Sequence, residues 1–377
     1  MYQHPAHQMD FDVLLVSLRR EVETNNVVEV PGPDGLALFN YTRHCTYSNS
    51  WNEVNMLARG LVLDLVNRRI VATPFAKFFN FFERGYKIPN LPFEVFEKID
   101  GALGIVFFHN RKWYVVTRGS FDSPPAVWGT EWLTKNVNLD LLDQGSTYLV
   151  EVVSRETHMV VSYPYEACVL LGAFDSNGFE WDRSRLEDHS TQLGLHLAGS
   201  TSYESVDAII EVVKGLGRNQ EGFVVRFSDG TRIKIKGKEY CTFHKMVSGV
   251  NPIGIWELME QGSDLDQVRQ ALPEEFWEDF DQIRRVLEAQ RSELLQEVET
   301  EFLRWEGKPD SELGKVIRTL PEKVSGLIFA RRKIGPDFWK TERKAKRALY
   351  RHFRPTGNNL PGYNPSMLVL RCLIDNS

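Results

Sequence analysis

Lys98-Ile99-Asp100-Gly101 precedes the apolar run Leu103-Gly104-Ile105-Val106-Phe107-Phe108. A lysine just before a tight turn at a strand edge can act as a covalent nucleophile. Four positions with one free also describe an ordinary surface turn. The surrounding segments decide between these readings.

Working outward, the chain up to about residue 250 alternates short β-rich runs with turns. The runs are Leu61–Leu65, Leu103–Phe108, Trp113–Thr117, Tyr148–Val153, Ala167–Phe174, Phe223–Phe227 and Arg232–Lys236. Helical patterns interrupt them at Phe11–Val22, around Trp128–Lys135 and at Ser205–Val213. After Asn251-Pro252 the texture changes to helices almost throughout. Phe276, Phe280, Ile283, Leu287, Leu294 and Val298 recur near helical spacing, which marks a core stripe. The stretch from Pro355 to Tyr363, rich in Pro, Gly and Asn, reads as irregular chain.

Asp229-Gly230 between two β-like runs is a two-residue hairpin signal. That loop length would set Val225 opposite Lys234, Phe223 opposite Lys236 and Glu221 opposite Lys238. Alternation then puts Lys234 and Lys236 on one face, with Ile233 and Ile235 on the other. Glu221, Phe223 and Val225 would share the lysine face. A solvated lysine ladder is the ordinary fate of such a strand. With Phe223 and Val225 beside them, the lysines instead point toward a partly apolar cleft and call for anionic partners such as phosphates.

A chain of 377 residues, 42% hydrophobic and 25% charged, has the composition of a soluble globular protein with a sizeable core and two domains. Cys45, Cys168, Cys241 and Cys372 are far apart and form no Cys-x-x-Cys pair, which fits reduced thiols and neither a zinc site nor a disulfide framework. The N-terminal stretch around His4, His7 and Asp10 lacks the basic and apolar regions of a signal peptide. No apolar run approaches bilayer length, so the expectation is a cytoplasmic protein without a membrane partner. The net charge of −6 hides an asymmetry. Asp264–Glu301 carries 12 acidic and 4 basic residues, whereas Arg331–Arg354 carries 10 basic and 2 acidic. The basic block can supply phosphate contacts, or it can form a solvated face paired with the acidic helices.

Further segments turn the opening motif into a series. Arg59-Gly60 and Lys77-Phe78-Phe79-Asn80 lie upstream of it, with Phe39-Asn40-Tyr41 before them; Arg118-Gly119-Ser120, Tyr148-Leu149-Val150-Glu151, Glu221-Gly222-Phe223 and Lys234-Ile235-Lys236 follow. In order and spacing over roughly residues 36–250, this set resembles the ATP-dependent RNA ligases of the T-even bacteriophage RNA ligase 1 type, within the covalent nucleotidyltransferases. Motif I is then Lys98–Gly101, motif Ia Arg118-Gly119-Ser120 with arginine in place of lysine, motif III ends at Glu151, motif IV begins at Glu221 and motif V is Lys234-Ile235-Lys236. The Arg59/Lys77 pair favours this branch over DNA ligases and capping enzymes, which also follow motif V with a β-barrel where this chain turns helical.

The resemblance implies an α+β nucleotidyltransferase domain with antiparallel sheets over residues 1–250, followed by an all-α domain over 251–377 that contributes RNA substrate choice. It implies joining of RNA 5′-phosphate and 3′-hydroxyl ends through lysyl–AMP and RNA-adenylate intermediates, in repair of nicked tRNA or other RNA. An end-healing kinase-phosphatase is an expected functional partner, and a bacterial or phage-infected cytoplasm the expected setting. ATP is the implied co-substrate and Mg²⁺ the metal, with Mn²⁺ as a substitute. Lys98 is the implied nucleophile, with Arg118 in the catalytic set. Tyr41 belongs to the ATP pocket, Arg59 and Lys77 hold the outer phosphates, Glu97 helps position adenine, and Lys234 and Lys236 contact the α-phosphate. Glu151, Glu221 and Asp264 are the implied metal residues. An ordinary lysine, with a pKa of about 10.4, would be protonated and unreactive; partial burial, Lys234, Lys236 and the metal are expected to favour its neutral form. His109, His158 and His244 are expected to be structural. The alternatives are a nucleotide-dependent RNA-end-binding module without turnover, or another covalent nucleotidyltransferase of the DNA ligase or capping type.

Overall fold

The computed structural model describes residues 2–81, 88–154, 161, 163–272, 276–357 and 359–366, with the side chains of 243–246 outside the description. Cys372, His158 and the side chain of His244 therefore lie outside the described residues. The chain divides into two compact units, Met1–His244 and Lys245–Asn376.

In the first unit, β1 (Val27–Pro31), β2 (Leu36–Tyr41), β3 (Arg59–Asp64) and β4 (Arg69–Ala72) form an antiparallel sheet in that order, with helix α2 (Arg43–Ser48) between β2 and β3. Helix α1 (Phe11–Glu23) starts where the Asp10 carboxylate accepts the Asp12 and Val13 N–H groups. It lays Leu14 and Leu18 on Ala37, Phe39, Leu61 and Leu63. Alternation sends Leu36, Leu38 and Val62 to the other face, where they meet Ile105, Phe107, Val116 and Leu149 of a second sheet. That sheet, in the order β10-β9-β7-β8, consists of Ala167–Phe174, Thr147–Val153, Ala102–His109 and Lys112–Val116. Its far face, with Val106, Val115, Val150 and Val152, is covered by Leu133 of α3 (Pro124–Asn136) and Leu186 of α4 (Arg183–Leu193). Each such aliphatic side chain gains roughly 1.5–3 kcal/mol on full burial.

A third sheet joins β11 (Ser200–Thr201), β6 (Phe93–Glu97), β12 (Gly222–Phe227), β13 (Arg232–Lys236) and β5 (Phe79–Asn80) in that order. Its β5–β13 pairing is parallel. Val95, Val225, Phe227, Ile233 and Ile235 bury against Val206, Ile209 and Val213 of α5 (Val206–Lys214). Helix α6 (Lys238–Ser248) follows β13.

The β12–β13 hairpin differs from its expected register by one residue. Phe223 pairs with Ile235, Val224 with Lys234 and Gly222 with Lys236. The cause is the loop: the Phe227 N–H donates to Thr231 O, the Gly230 N–H to Phe227 O, and Gly230 sits at φ 86°. This is a three-residue connection closed by a left-handed glycine, not a two-residue turn. The slip moves Phe223 and Val225 to the core face with Ile233 and Ile235, and leaves Val224 beside the lysines.

The second unit is helical. Asn251 caps α7 (Pro252–Gln261) by accepting the Gly254 N–H, with proline in the first turn where no N–H is needed. Helices α8 (Leu265–Ala271), α9 (Trp277–Arg304), α10 (Asp310–Val316), α11 (Glu322–Ser325), α12 (Ile328–Ile334), α13 (Phe338–Thr341) and α14 (Arg343–Arg351) follow. Phe280, Ile283, Leu287, Leu294 and Val298 form the buried stripe of the 28-residue α9. The basic block splits in two. Arg331 is bidentate to Glu299, and Arg332 pairs with Asp310 at 2.8 Å. On α14, Arg343, Lys344 and Arg351 are exposed and have no carboxylate partner among the described residues. The fold is α+β followed by helices. No helix among the described residues is long and apolar enough to cross a membrane, and Cys168 and Cys241 are free thiols.

Candidate active site

Lys98 directly follows β6 and is fixed from both sides. Its N–H donates to Gly222 O at 2.9 Å, which ties the motif to the start of β12. Two positions on, the buried Asp100 accepts the Tyr240 hydroxyl at 3.0 Å and the Val161 N–H at 2.8 Å, while its own N–H donates to the Tyr163 hydroxyl at 2.9 Å. The turn after Lys98 is therefore held by two tyrosines far away in sequence. Burial, followed by the Glu221 and Asp100 charges, pushes the Tyr240 hydroxyl well above its ordinary value, so it remains a donor.

The Lys98 ammonium lies 2.8 Å from Glu221, and Lys236 Nζ lies 2.7 Å from the other oxygen of the same carboxylate. Glu221 would point toward the core if alternation ran unbroken. Gly222, at φ 136°, breaks it: a Cβ there would stand 2.1 Å from Ile235 O, so only glycine lets the chain turn Glu221 onto the lysine face. Glu151 comes from β9, between Val150 and Val152 that face the opposite way into the core. Burial raises the Glu151 pKa to about 8, against the opposing pull of Lys98 and Arg59 and with help from Glu221 and Asp100. Glu221 goes the other way: burial opposes its ionisation, but Lys98 and Lys236 outweigh it and hold its carboxyl below the ordinary value.

Lys98 itself departs from expectation. Burial favours the neutral amine, yet Glu221 and Glu151 outweigh burial and hold the ammonium above its ordinary pKa. The lysine closer to neutrality is Lys234, lowered well below its ordinary value by burial and then by Lys77, Lys98, Lys236 and Arg59.

Around these groups stands a wall of cations resting on aromatic rings. Arg59 lies over Phe78 at 5.3 Å and Lys234 over the same ring at 5.6 Å. Arg118 donates to the Tyr41 hydroxyl at 3.0 Å. Lys77 Nζ lies 5.4 Å from the Tyr41 ring, 5.2 Å from Trp51 and 4.9 Å from Phe79. Burial works against ionising Tyr41, but Arg118, Arg59 and Lys77 outweigh it and bring its hydroxyl below the usual value. Arg59 Nη1 is buried without a hydrogen-bond partner among the described residues. A like-charge cluster with an orphaned guanidinium nitrogen is built to receive an anion.

Of the residues singled out from sequence, Tyr41, Arg59, Lys77, Lys98, Arg118, Glu151, Glu221, Lys234 and Lys236 are linked by these contacts and fields. Glu97, at the end of β6, is exposed, and its N–H donates to Gly199 O at 2.8 Å. Asp264 belongs to the second unit, where its carboxylate caps α8 through the Asp266 and Gln267 N–H groups. Sequence reasoning passed over Trp51 as a wall residue and Tyr163 and Tyr240 as tethers. Phe78 was quoted only as part of a motif, without a role. Single aromatic residues outside a periodic pattern give no local signal.

Residues 57–243 match the RNA ligase family model of the T4 RNA ligase 1 type. A candidate RNA ligase of Thermovibrio ammonificans is 24% identical over 249 residues, covering 62% of this chain and 64% of that protein. A candidate bifunctional polynucleotide kinase/RNA ligase of Autographa californica nuclear polyhedrosis virus is 26% identical over 240 residues, covering 55% of this chain and 34% of that one. The chain thus spans less than two thirds of the length of these relatives. The structure of an archaeal ATP-dependent RNA ligase aligns at a TM-score of 0.48 and 14% identity, over 92% of this chain and 89% of that one. Over residues 57–243, the chain belongs to the RNA ligase family of the T4 RNA ligase 1 type.

Proposed function

We propose that the protein joins RNA 5′-phosphate and 3′-hydroxyl ends at the expense of ATP, through lysyl–AMP and RNA-adenylate intermediates. The observation that carries this reading is the meeting of Lys98 with two buried carboxylates and a wall of cations on one site. In the first step the neutral Lys98 amine attacks the α-phosphorus of ATP. A P–N bond forms, the P–O bond to pyrophosphate breaks, and the nitrogen sheds its proton. The AMP then passes to the RNA 5′-phosphate, and the 3′-hydroxyl of the other end displaces it. Lys234 and Lys236 are suited to the α-phosphate, and Arg59 and Lys77 to the departing pyrophosphate, so most of the rate gain comes from positioning and fixed charge.

The carboxylates fit a divalent cation. Glu151 is buried and short of positive charge, as its raised pKa reports. Together with Glu221 it would hold Mg²⁺ or Mn²⁺, with substrate oxygens and water completing the shell; no group of three His, Cys, Asp or Glu side chains suited to a metal occurs among the described residues. The cation would neutralise charge on the phosphates. The chain's own task before reaction is to free Lys98 from Glu221, because the ammonium of that ion pair is not a nucleophile.

The exposed α14 cations Arg343 and Lys344 support a role for the second unit in RNA binding. The kinase-phosphatase partnership, tRNA as substrate and a cytoplasmic setting belong to the same reading, and the free thiols support the last. The test is incubation with each α-labelled NTP and Mg²⁺, followed by denaturing electrophoresis. An adduct with ATP alone is expected. An adduct with GTP would point to capping chemistry, and no adduct to an RNA-end-binding module.

A further inference from the structure

Trp51 lies upstream of the family match and in none of the motifs, yet it closes one side of the cation wall. Its half-buried ring meets the Tyr41 ring edge-on at 4.9 Å and the Phe79 ring at 5.4 Å. The three rings surround Lys77 Nζ at 4.9–5.4 Å. We propose that Trp51 is a positioning residue for Lys77, holding its ammonium where the outer phosphates of ATP, and pyrophosphate itself, must bind. The inference rests on the adenylation reading above.

Lys77 faces Lys234, and the lowered Lys234 pKa registers that repulsion. Left to itself, a flexible lysine among other cations swings toward water, and binding a phosphate would then cost the entropy of recalling it. Aromatic faces attract the ammonium without carrying a net charge, tryptophan most strongly. The rings therefore add to the hold on Lys77 without neutralising its charge. Tyr41 is already engaged by Arg118, which leaves Trp51 as the wall that can be altered with least disturbance to the remaining cations.

The experiment compares wild type, Trp51→Leu and Trp51→Phe, each alone and with Lys77→Ala. It measures KM for ATP and kcat in lysyl–AMP formation, the Kd for magnesium pyrophosphate by calorimetry, and sealing of RNA that already carries a 5′-adenylate. Trp51→Leu should raise KM and the pyrophosphate Kd about five- to tenfold, with kcat changed far less. Trp51→Phe should restore most of the loss, and the effect should vanish when Lys77 is already alanine. Pre-adenylated sealing, which uses no outer phosphate, should follow wild type. Unchanged KM and Kd in Trp51→Leu, or an equal loss in sealing of pre-adenylated RNA, would overturn the proposal. If Trp51→Leu does not fold, the cycle is run on Trp51→Phe, where additivity with Lys77→Ala overturns it. Absence of any ATP adduct in wild type would overturn the adenylation reading first and this inference with it.

Discussion

Two buried glutamates lie against the β12–β13 hairpin, each clasped by two cations, and the two clasps are built from different amino acids. Near one end Glu221 is held by Lys98 and Lys236. Near the other, Glu180 is held by Arg226 and Arg232, with Arg226 also bound to Glu94. In both cases burial opposes ionisation and the paired cations outweigh it, so both carboxyls lie below their ordinary pKa. Arginine cannot give up its proton and offers a rigid fork, which makes the Glu180 cluster permanent. Lysine is a point charge that can lose its proton or leave its partner. The same arrangement is a fastening where it is made of arginine and a latch where it is made of lysine.

Four predictions test that contrast, from the largest expected effect down. Lys98→Ala should abolish lysyl–AMP formation while still sealing RNA that carries a 5′-adenylate; a normal adduct in this variant would place the nucleophile elsewhere. Next, Glu180→Gln should cost about 3–5 kcal/mol in urea unfolding, because it leaves Arg232 without a carboxylate and Arg226 with Glu94 alone. Glu221→Gln should cost less than half as much, since either lysine can shed its proton, yet it should lose adenylation. Equal stability losses at the two sites would erase the distinction between fastening and latch.

The third comparison lies within β13 and just beyond it. Lys234→Ala and Lys236→Ala should each slow adenylation about a hundredfold, the usual scale for removing one preorganised contact to a developing charge. Lys238→Ala, at the exposed start of α6, should leave the rate within about twofold of wild type. Uniform small effects at all three would mean that the lysine face does not meet phosphate.

The last prediction uses Glu151, whose shift has the opposite sign. With its folded pKa raised to about 8, the folded metal-free protein holds a proton that the unfolded chain has lost above its ordinary value of 4.5. Unfolding then releases a proton across that window, so stability falls as pH rises from about 4.5 to 8. Melting temperatures in EDTA should show this slope, and Glu151→Gln should flatten it. Added Mn²⁺ should raise the wild-type melting temperature near the upper end of the window and leave Glu151→Gln unmoved. A wild-type curve rising with pH through this range would reverse the assignment.

Much of this was legible in the residues. Ala167–Phe174 and Arg232–Lys236 appear as strands with the bounds that their apolar runs and flanking turns indicate, because hydrophobic periodicity is a local signal. The motif series singled out Lys98, Glu151 and Glu221, which the fold brings into one electrostatic field. The hairpin register was not legible: Asp229-Gly230 serves a two-residue and a three-residue loop equally well, and only the Phe227–Thr231 closure distinguishes them. The charge state of Lys98 was missed because the slipped register and the bend at Gly222 set which carboxylate it meets. The Glu180 clasp joins residues 46 and 52 positions apart in sequence, a pairing with no local signature.

The bend at Gly222 has a consequence for anyone reading this protein through its variants. Any side chain there would collide with the neighbouring strand and swing Glu221 away from Lys98. A mutational scan scored on RNA sealing should therefore rank position 222 beside the nucleophile, although it carries no side chain that could react, bind or titrate. Inferring chemistry from intolerance alone would assign a role to an atom that is not there.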